Sequence, residues 1–326
     1  VDVGTVILDP SKDGSGIVVA DEPWEPDQPS QGMLLVRGAS ERISRPLRSA
    51  RKAARSAVTM PRATATNVMR TAEAFASLAA GGPSAEPTFL NQDIGRDRRV
   101  AFVRTELELL KGARAGTDAT VNDVILAGAA GGLRRYFVRR NQRLPEHLVA
   151  LVPMSVRRPE ERNELGNRIA TLMVSLPIRE RDTTARLRAV HATTQRLKSS
   201  KQAQAASLVI EATGWTPPTI NRVLAGAISR PLNWNLVVSN VPGPQVPFYL
   251  LGRRIEAIYP FVPLSPQGHA LAIGVLSYDG GVYFGLAGDR DVLSDIDALA
   301  EDLAAALDEQ IRAAGLEPKR TAHPAA

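Results

Sequence analysis

From Val100 onward the hydrophobic positions follow two clear periods. Val103, Thr105, Leu107 and Leu109 alternate with Arg104, Glu106 and Glu108, the two-residue repeat of a half-buried strand. Val121, Val124, Ile125, Gly128, Gly132 and Tyr136 then share one side of a helix expected over 120–141. Apolar runs at 148–156, 168–178, 234–241, 254–262, 270–278 and 282–286 read as strands. Asp279-Gly280-Gly281 is a hairpin signal between the last two. Helical patterns cover 183–207 and 208–229, interrupted by Gly214 and Pro217-Pro218. Ile296, Leu299, Leu303 and Leu307 form the stripe of a last helix, with Ser294 as its expected cap. The pattern predicts an α+β fold, a mixed sheet flanked by helices.

The chain before Val100 has a different texture. Residues 1–8 resemble the end of a helix, and prolines 10, 23, 26 and 29 mark a turn-rich stretch. Residues 33–80 look helical with a break near Pro61, and Gly81-Gly82-Pro83 opens a loop. At 326 residues the chain has room for about two units of ~150 residues. No run approaches the ~18 apolar residues of a membrane span, and nothing at the start reads as a secretory signal. With no cysteine, disulfides, a thiol nucleophile and cysteine-ligated metals are excluded.

Charge is concentrated in one place. The whole chain carries +6. Arg37, Arg42, Arg45, Arg48, Arg51, Lys52, Arg55, Arg62 and Arg70 stand against Glu41 alone, so the remainder is slightly acidic. Within this segment Ile43, Leu47, Ala50, Ala54 and Val58 fall on one helical face, after Ser44 as cap and Pro46 in the first turn. Arg45, Arg48, Lys52 and Arg55 form a second stripe. Such a helix suits an anionic lipid surface or phosphates, and equally an ordinary solvated face. Nucleic acid is not expected as a partner, because neither interleaved aromatics nor a recognition motif accompanies the charge.

Nucleotide-binding glycine loops and the Gly-x-Ser-x-Gly elbow are absent. His147, His191, His269 and His323 show no metal-ligand spacing and read as surface or packing residues. Two constellations carry more information. Thr120-Val-Asn122-Asp123 opens a helix, where Thr120 and Asp123 have capping-box spacing. Pro231-Leu232-Asn233 leads into a strand that exits through Ser239-Asn240-Val241-Pro242-Gly243-Pro244. Two prolines and a glycine make that exit stiff and tightly turned, either as a plain strand end or as the wall of a ligand channel.

Taken together these motifs resemble the bacterial wax ester synthase/acyl-CoA:diacylglycerol acyltransferase family. The resemblance extends to Leu151-Val-Pro-Met-Ser-Val-Arg157, Glu164-Leu-Gly-Asn167 and Tyr278-Asp-Gly-Gly…Gly285-Leu-Ala-Gly-Asp289. It implies a chloramphenicol acetyltransferase-like fold, two α/β halves around a shared tunnel. It implies transfer of a fatty acyl group from acyl-CoA to diacylglycerol or a long-chain alcohol, without metal or redox cofactor. Asn122 would then order the interface between the halves, Asp123 would hold the helix start, and the 239–244 exit would line the channel. The family's general base is the second histidine of His-His-x-x-x-Asp-Gly.

That motif does not occur in these 326 residues. Val1 to Ser11 resembles the stretch just after it. The resemblance therefore implies a chain with the N-terminal half missing: 1–32 a remnant and linker, 33–98 a basic helical connector, 99–314 the C-terminal acyltransferase domain and 315–326 a disordered tail. Without its base the isolated chain is expected to be inactive, and its unpaired apolar face to favour self-association or binding of the other half. The expected location is cytoplasmic, peripheral at the inner membrane or a lipid inclusion. The competing reading is a non-catalytic lipid-surface or partner-binding protein on the same scaffold.

Overall fold

The computed structural model describes residues 8–13, 30, 85–155, 169–199, 234–266 and 268–318. The basic segment with Arg45, Arg48, Lys52 and Arg55, the helix expected at 208–229 and Pro231-Leu232-Asn233 lie outside the described residues.

Strand β1 (Arg98–Glu106) passes directly into helix α1 (Leu107–Ala113). Helix α2 (Val121–Arg139), strands β2 (Leu148–Ser155) and β3 (Ile169–Leu176) and helix α3 (Thr183–Ser199) follow. Strand β4 (Leu236–Pro242) leads to a small hairpin, β5 (Tyr249–Leu250) and β6 (Arg253–Arg254). Strands β7 (Leu271–Tyr278) and β8 (Gly281–Asp289) precede helix α4 (Ile296–Ala313). Six strands form one mixed sheet in the order β1-β8-β7-β4-β2-β3. The central β7-β4-β2 neighbours are parallel and the outer pairs antiparallel.

Alternation sorts the strands' side chains onto two faces. Val103, Val152, Val174, Val238, Ile273 and Phe284 join α2 and α4 in the main core. The helices lie together on this face, with α2 packed between α3 and α4. On the opposite face Trp234 and Val149 form one small cluster, and Phe248, Tyr278 and Tyr283 another.

Three expectations are corrected. The alternation runs on to Leu109, but β1 ends at Glu106. There β1 runs out of partners, since Glu106 pairs with Gly281, the first residue of β8, and Leu107 N–H bonds the Gly280 carbonyl at 2.9 Å. The chain then buries Leu110 by turning helical. Residues 255–262 are no strand. They cross the outer face of the sheet, where Pro260 lies against the paired glycines Gly274 and Gly285. A Cβ on Gly285 would meet the Pro260 carbonyl oxygen at 1.8 Å, so only glycine admits this crossing. Finally, Asp295 and not Ser294 is the N-cap of α4, and its side chain does not cap. Its Oδ1 accepts from the Tyr136 hydroxyl at 2.6 Å instead.

Candidate functional site

Helix α2 begins as its sequence predicts. Thr120 Oγ1 accepts from Asp123 N–H at 3.2 Å, and Asp123 Oδ2 accepts from Thr120 N–H at 2.8 Å, a complete capping box. Asp123 does more than cap. Its buried carboxylate also takes the Thr194 hydroxyl at 2.7 Å and His191 Nδ1 at 2.9 Å, both from α3. Burial pushes the carboxyl's pKa up. Bonds from the Thr120 backbone, His191, Thr194 and the Thr120 hydroxyl outweigh that and leave it below the usual range. A carboxylate only accepts, so His191 carries its proton on Nδ1. Its Nε2 then accepts from Gln195 Nε2 at 3.3 Å. His191 thus belongs to a carboxylate-oriented pair, which its reading as a packing residue missed. Helical spacing within α3 shows Thr194 near His191, but nothing local shows that both face Asp123.

One residue earlier, Asn122 turns toward β4. Asn240 Nδ2 donates to Asn122 Oδ1 at 3.2 Å. This contact joins the two constellations picked from the sequence, more than a hundred residues apart. It uses the Asn122 carbonyl oxygen and leaves that amide's N–H groups to donate elsewhere. Ser239 and Asn240 are half-buried, whereas Val241 and Pro242 are exposed. Beyond them Gly243 N–H donates to Ser277 Oγ at 3.2 Å, and Gln245 Nε2 donates to the same oxygen at 3.1 Å. A Cβ on Gly243 would meet the Ser277 carbonyl oxygen at 2.2 Å. The Pro242-Gly243-Pro244 exit is therefore pinned flat against β7, and glycine is required for closeness of approach.

At the other end of β4 from this exit lies a buried polar node that pattern reading missed. Asn235 Oδ1 accepts from Val149 N–H at 2.7 Å, while its Nδ2 donates to Asn91 Oδ1 and the Glu86 carbonyl, each at 2.7 Å. Asn91 Nδ2 and His269 Nε2 both reach the Trp234 carbonyl, at 3.0 and 3.1 Å. The His269 ring stacks on Trp234 with centroids 3.3 Å apart. Residues 85–92 are thereby tied across the start of β4.

Comparison with known proteins identifies the family. The family model for the wax ester synthase/diacylglycerol acyltransferase catalytic domain matches residues 6–125, and that for the WS/DGAT C-terminal domain matches residues 165–310. The chain belongs to the wax ester synthase/diacylglycerol acyltransferase family. It is 35% identical over 240 residues to a Mycobacterium tuberculosis protein whose name refers to diacylglycerol O-acyltransferase activity, covering 72% of this chain and 48% of that one. A second such relative, from strain CDC 1551 of that species, is 30% identical over 250 residues, 76% of this chain and 54% of the relative. The chain spans about half the length of the curated relatives it matches. Among solved structures, a wax ester synthase/diacylglycerol acyltransferase from Marinobacter aquaeolei VT8 superposes with a TM-score of 0.57 at 27% identity, over 77% of this chain and 58% of that one. The fold is thus chloramphenicol acetyltransferase-like, as expected. The catalytic-domain match reaches Asn122 and Asp123, and it lends no support to an inactive chain. No helix among the described residues is long and apolar enough to cross a membrane.

Proposed function

We propose that this chain serves O-acyl transfer from acyl-CoA to diacylglycerol or a long-chain alcohol, in triacylglycerol or wax ester synthesis. The observation that carries the reading is the Asn122–Asn240 contact. It couples the start of α2 to the stiff exit of β4, the two places where the family motifs fall. In the reaction the acceptor hydroxyl oxygen attacks the thioester carbonyl. A base takes the hydroxyl proton, the C–S bond breaks, and the CoA thiolate leaves with a proton. The developing oxyanion needs positioned donors. In this reading the Asn122 amide orders the interface beside the reacting groups, and Ser239 to Pro244 wall the channel. In this reading Pro231, Leu232 and Asn233 line the same channel. Arg45, Arg48, Lys52 and Arg55 meet an anionic lipid surface or the phosphates of CoA.

The base in this proposal belongs to a His-His-x-x-x-Asp-Gly segment, and losing a general base costs roughly 10²–10⁴-fold in rate. The test is CoA release from palmitoyl-CoA with diacylglycerol as acceptor. The 326 residues alone should show none, and co-expression with a polypeptide bearing that motif should restore it. Failure of that restoration would favour the non-catalytic reading. A second reading rests on the Asp123–His191 pair, which has the form of an oriented base. If the 326 residues turn over alone and His191→Ala abolishes it, the base lies on α3.

A further inference from the structure

Exposed apolar side chains gather beyond the β4 exit. Leu251 is 96% exposed, Val246 53% and Leu250 45%. Leu250 and Leu251 sit at the tip of the β5–β6 hairpin, whose two-residue turn is Leu251-Gly252. Both turn residues have positive φ, +50° at Leu251 and +73° at Gly252. A turn of this hand favours Asn-Gly or Asp-Gly. Leucine is disfavoured there on both counts, since it is strained in the left-handed region and gains nothing by burial.

The base of the hairpin is pinned. Tyr249 and Asp9 exchange backbone hydrogen bonds at 2.7 and 2.9 Å. Phe248 N–H donates to the buried Tyr278 hydroxyl at 2.7 Å, and Ile255 N–H closes the base of the hairpin on Phe248. Charges of both signs flank the leucines, with the exposed Asp13 directly after Lys12. Arg254 is committed to Asp279 at 2.5 Å, but Arg253 is exposed and carries no ion pair among the described residues. The exposed Lys12 lies in a turn, and its backbone carbonyl oxygen would stand 3.5 Å from a Cβ on Gly252. The nearest acid along the chain, Glu256, falls beyond the paired part of the hairpin.

We propose that this hairpin is a lipid-surface anchor: Leu250 and Leu251 enter the boundary between headgroups and acyl chains of an anionic bilayer, and Arg253 and Lys12 meet its phosphates. The anchor continues directly from the channel exit, so it would seat that exit on the phase that dissolves the apolar substrates. Only this purpose rests on the acyl-transfer reading. Membrane partition is read without turnover, so either proposal can fail alone.

The test is co-sedimentation of the full 326-residue chain with vesicles of phosphatidylglycerol and phosphatidylcholine, and with vesicles of phosphatidylcholine alone. The deciding variant is Leu251→Asn, which converts the turn to its preferred Asn-Gly and should melt no lower than wild type. Binding to the anionic vesicles should fall about tenfold, the share of one inserted leucine, and Arg253→Glu should weaken it further. The comparison is repeated in a chain carrying R45Q, R48Q, K52Q and R55Q, to remove any share of the basic segment. Unchanged partition of Leu251→Asn in that background would overturn the proposal. So would absence of binding by the wild-type chain. So would a wild-type dimer that Leu251→Asn dissociates in light scattering, since the tip would then dock on a second copy.

Discussion

His269 is fully buried, stacked on Trp234, with Nε2 on the Trp234 carbonyl and no partner for Nδ1. Burial pulls its pKa down to about 4, against a smaller upward pull from the Trp234 carbonyl. The unfolded chain, with an ordinary pKa near 6.5, binds the proton more readily. Stability is therefore complete above about pH 6.5 and falls as pH drops toward 4, by about 3 kcal/mol over that window. Urea titrations at steps of pH should show this decline, and His269→Gln should flatten it. Asp123 works in the same direction at lower pH. Its carboxylate is held ionised by its four bonds, so its contribution is lost as pH falls through its depressed pKa.

At the scale of elements, α2 is built to lie close to α4. Gly128 and Gly132 face it, and Arg139 closes the contact with a two-pronged bond to buried Asp302 at 2.7 and 3.1 Å. The two glycines are not equivalent. A Cβ on Gly132 would meet the backbone of Leu303 at 2.7 Å, which cannot yield without moving the helix. A Cβ on Gly128 would meet the flexible end of Leu307 at 2.5 Å. Gly132→Ala should therefore cost about 1–3 kcal/mol, the range for overpacking. Gly128→Ala should cost less, because a rotamer change relieves the contact and alanine favours the helix. Paired thermal melts of the two variants decide it, and equal losses would contradict this account.

Across the whole molecule the sheet is protected unevenly. β7 and β8 are covered by helices on one face and by residues 248–262 on the other, and every residue of β8 is buried. β3 is an edge strand, and the stretch from Val241 to Leu251 carries several exposed side chains. Amide hydrogen exchange should therefore be slowest in β7 and β8, opening only with global unfolding, and fastest at the β5–β6 tip. Exchange of β8 as fast as β3 would show that the outer covering is loose. The candidate site lies between these regimes, with Asn122 on the rigid α2 and Asn240 at the margin where β4 leaves the sheet.

What the sequence determined by itself is local. The capping box at Thr120 and Asp123, the stripe of α4, the Asp279-Gly280 turn and most strands were legible, because each depends on neighbours within a few residues. The motifs also marked Asn122 and the 239–244 exit. Only the tertiary structure decided which residues meet across the chain. It joined Asn122 to Asn240, gave Asp123 a histidine from α3, and made Gly285 a bed for Pro260. It ended β1 at Glu106 because its partner strand stops there, and denied 255–262 a ladder although their pattern suited one. Periodicity reports which face of an element is apolar. The partner that face receives depends on contacts distant in sequence, which no local spacing encodes.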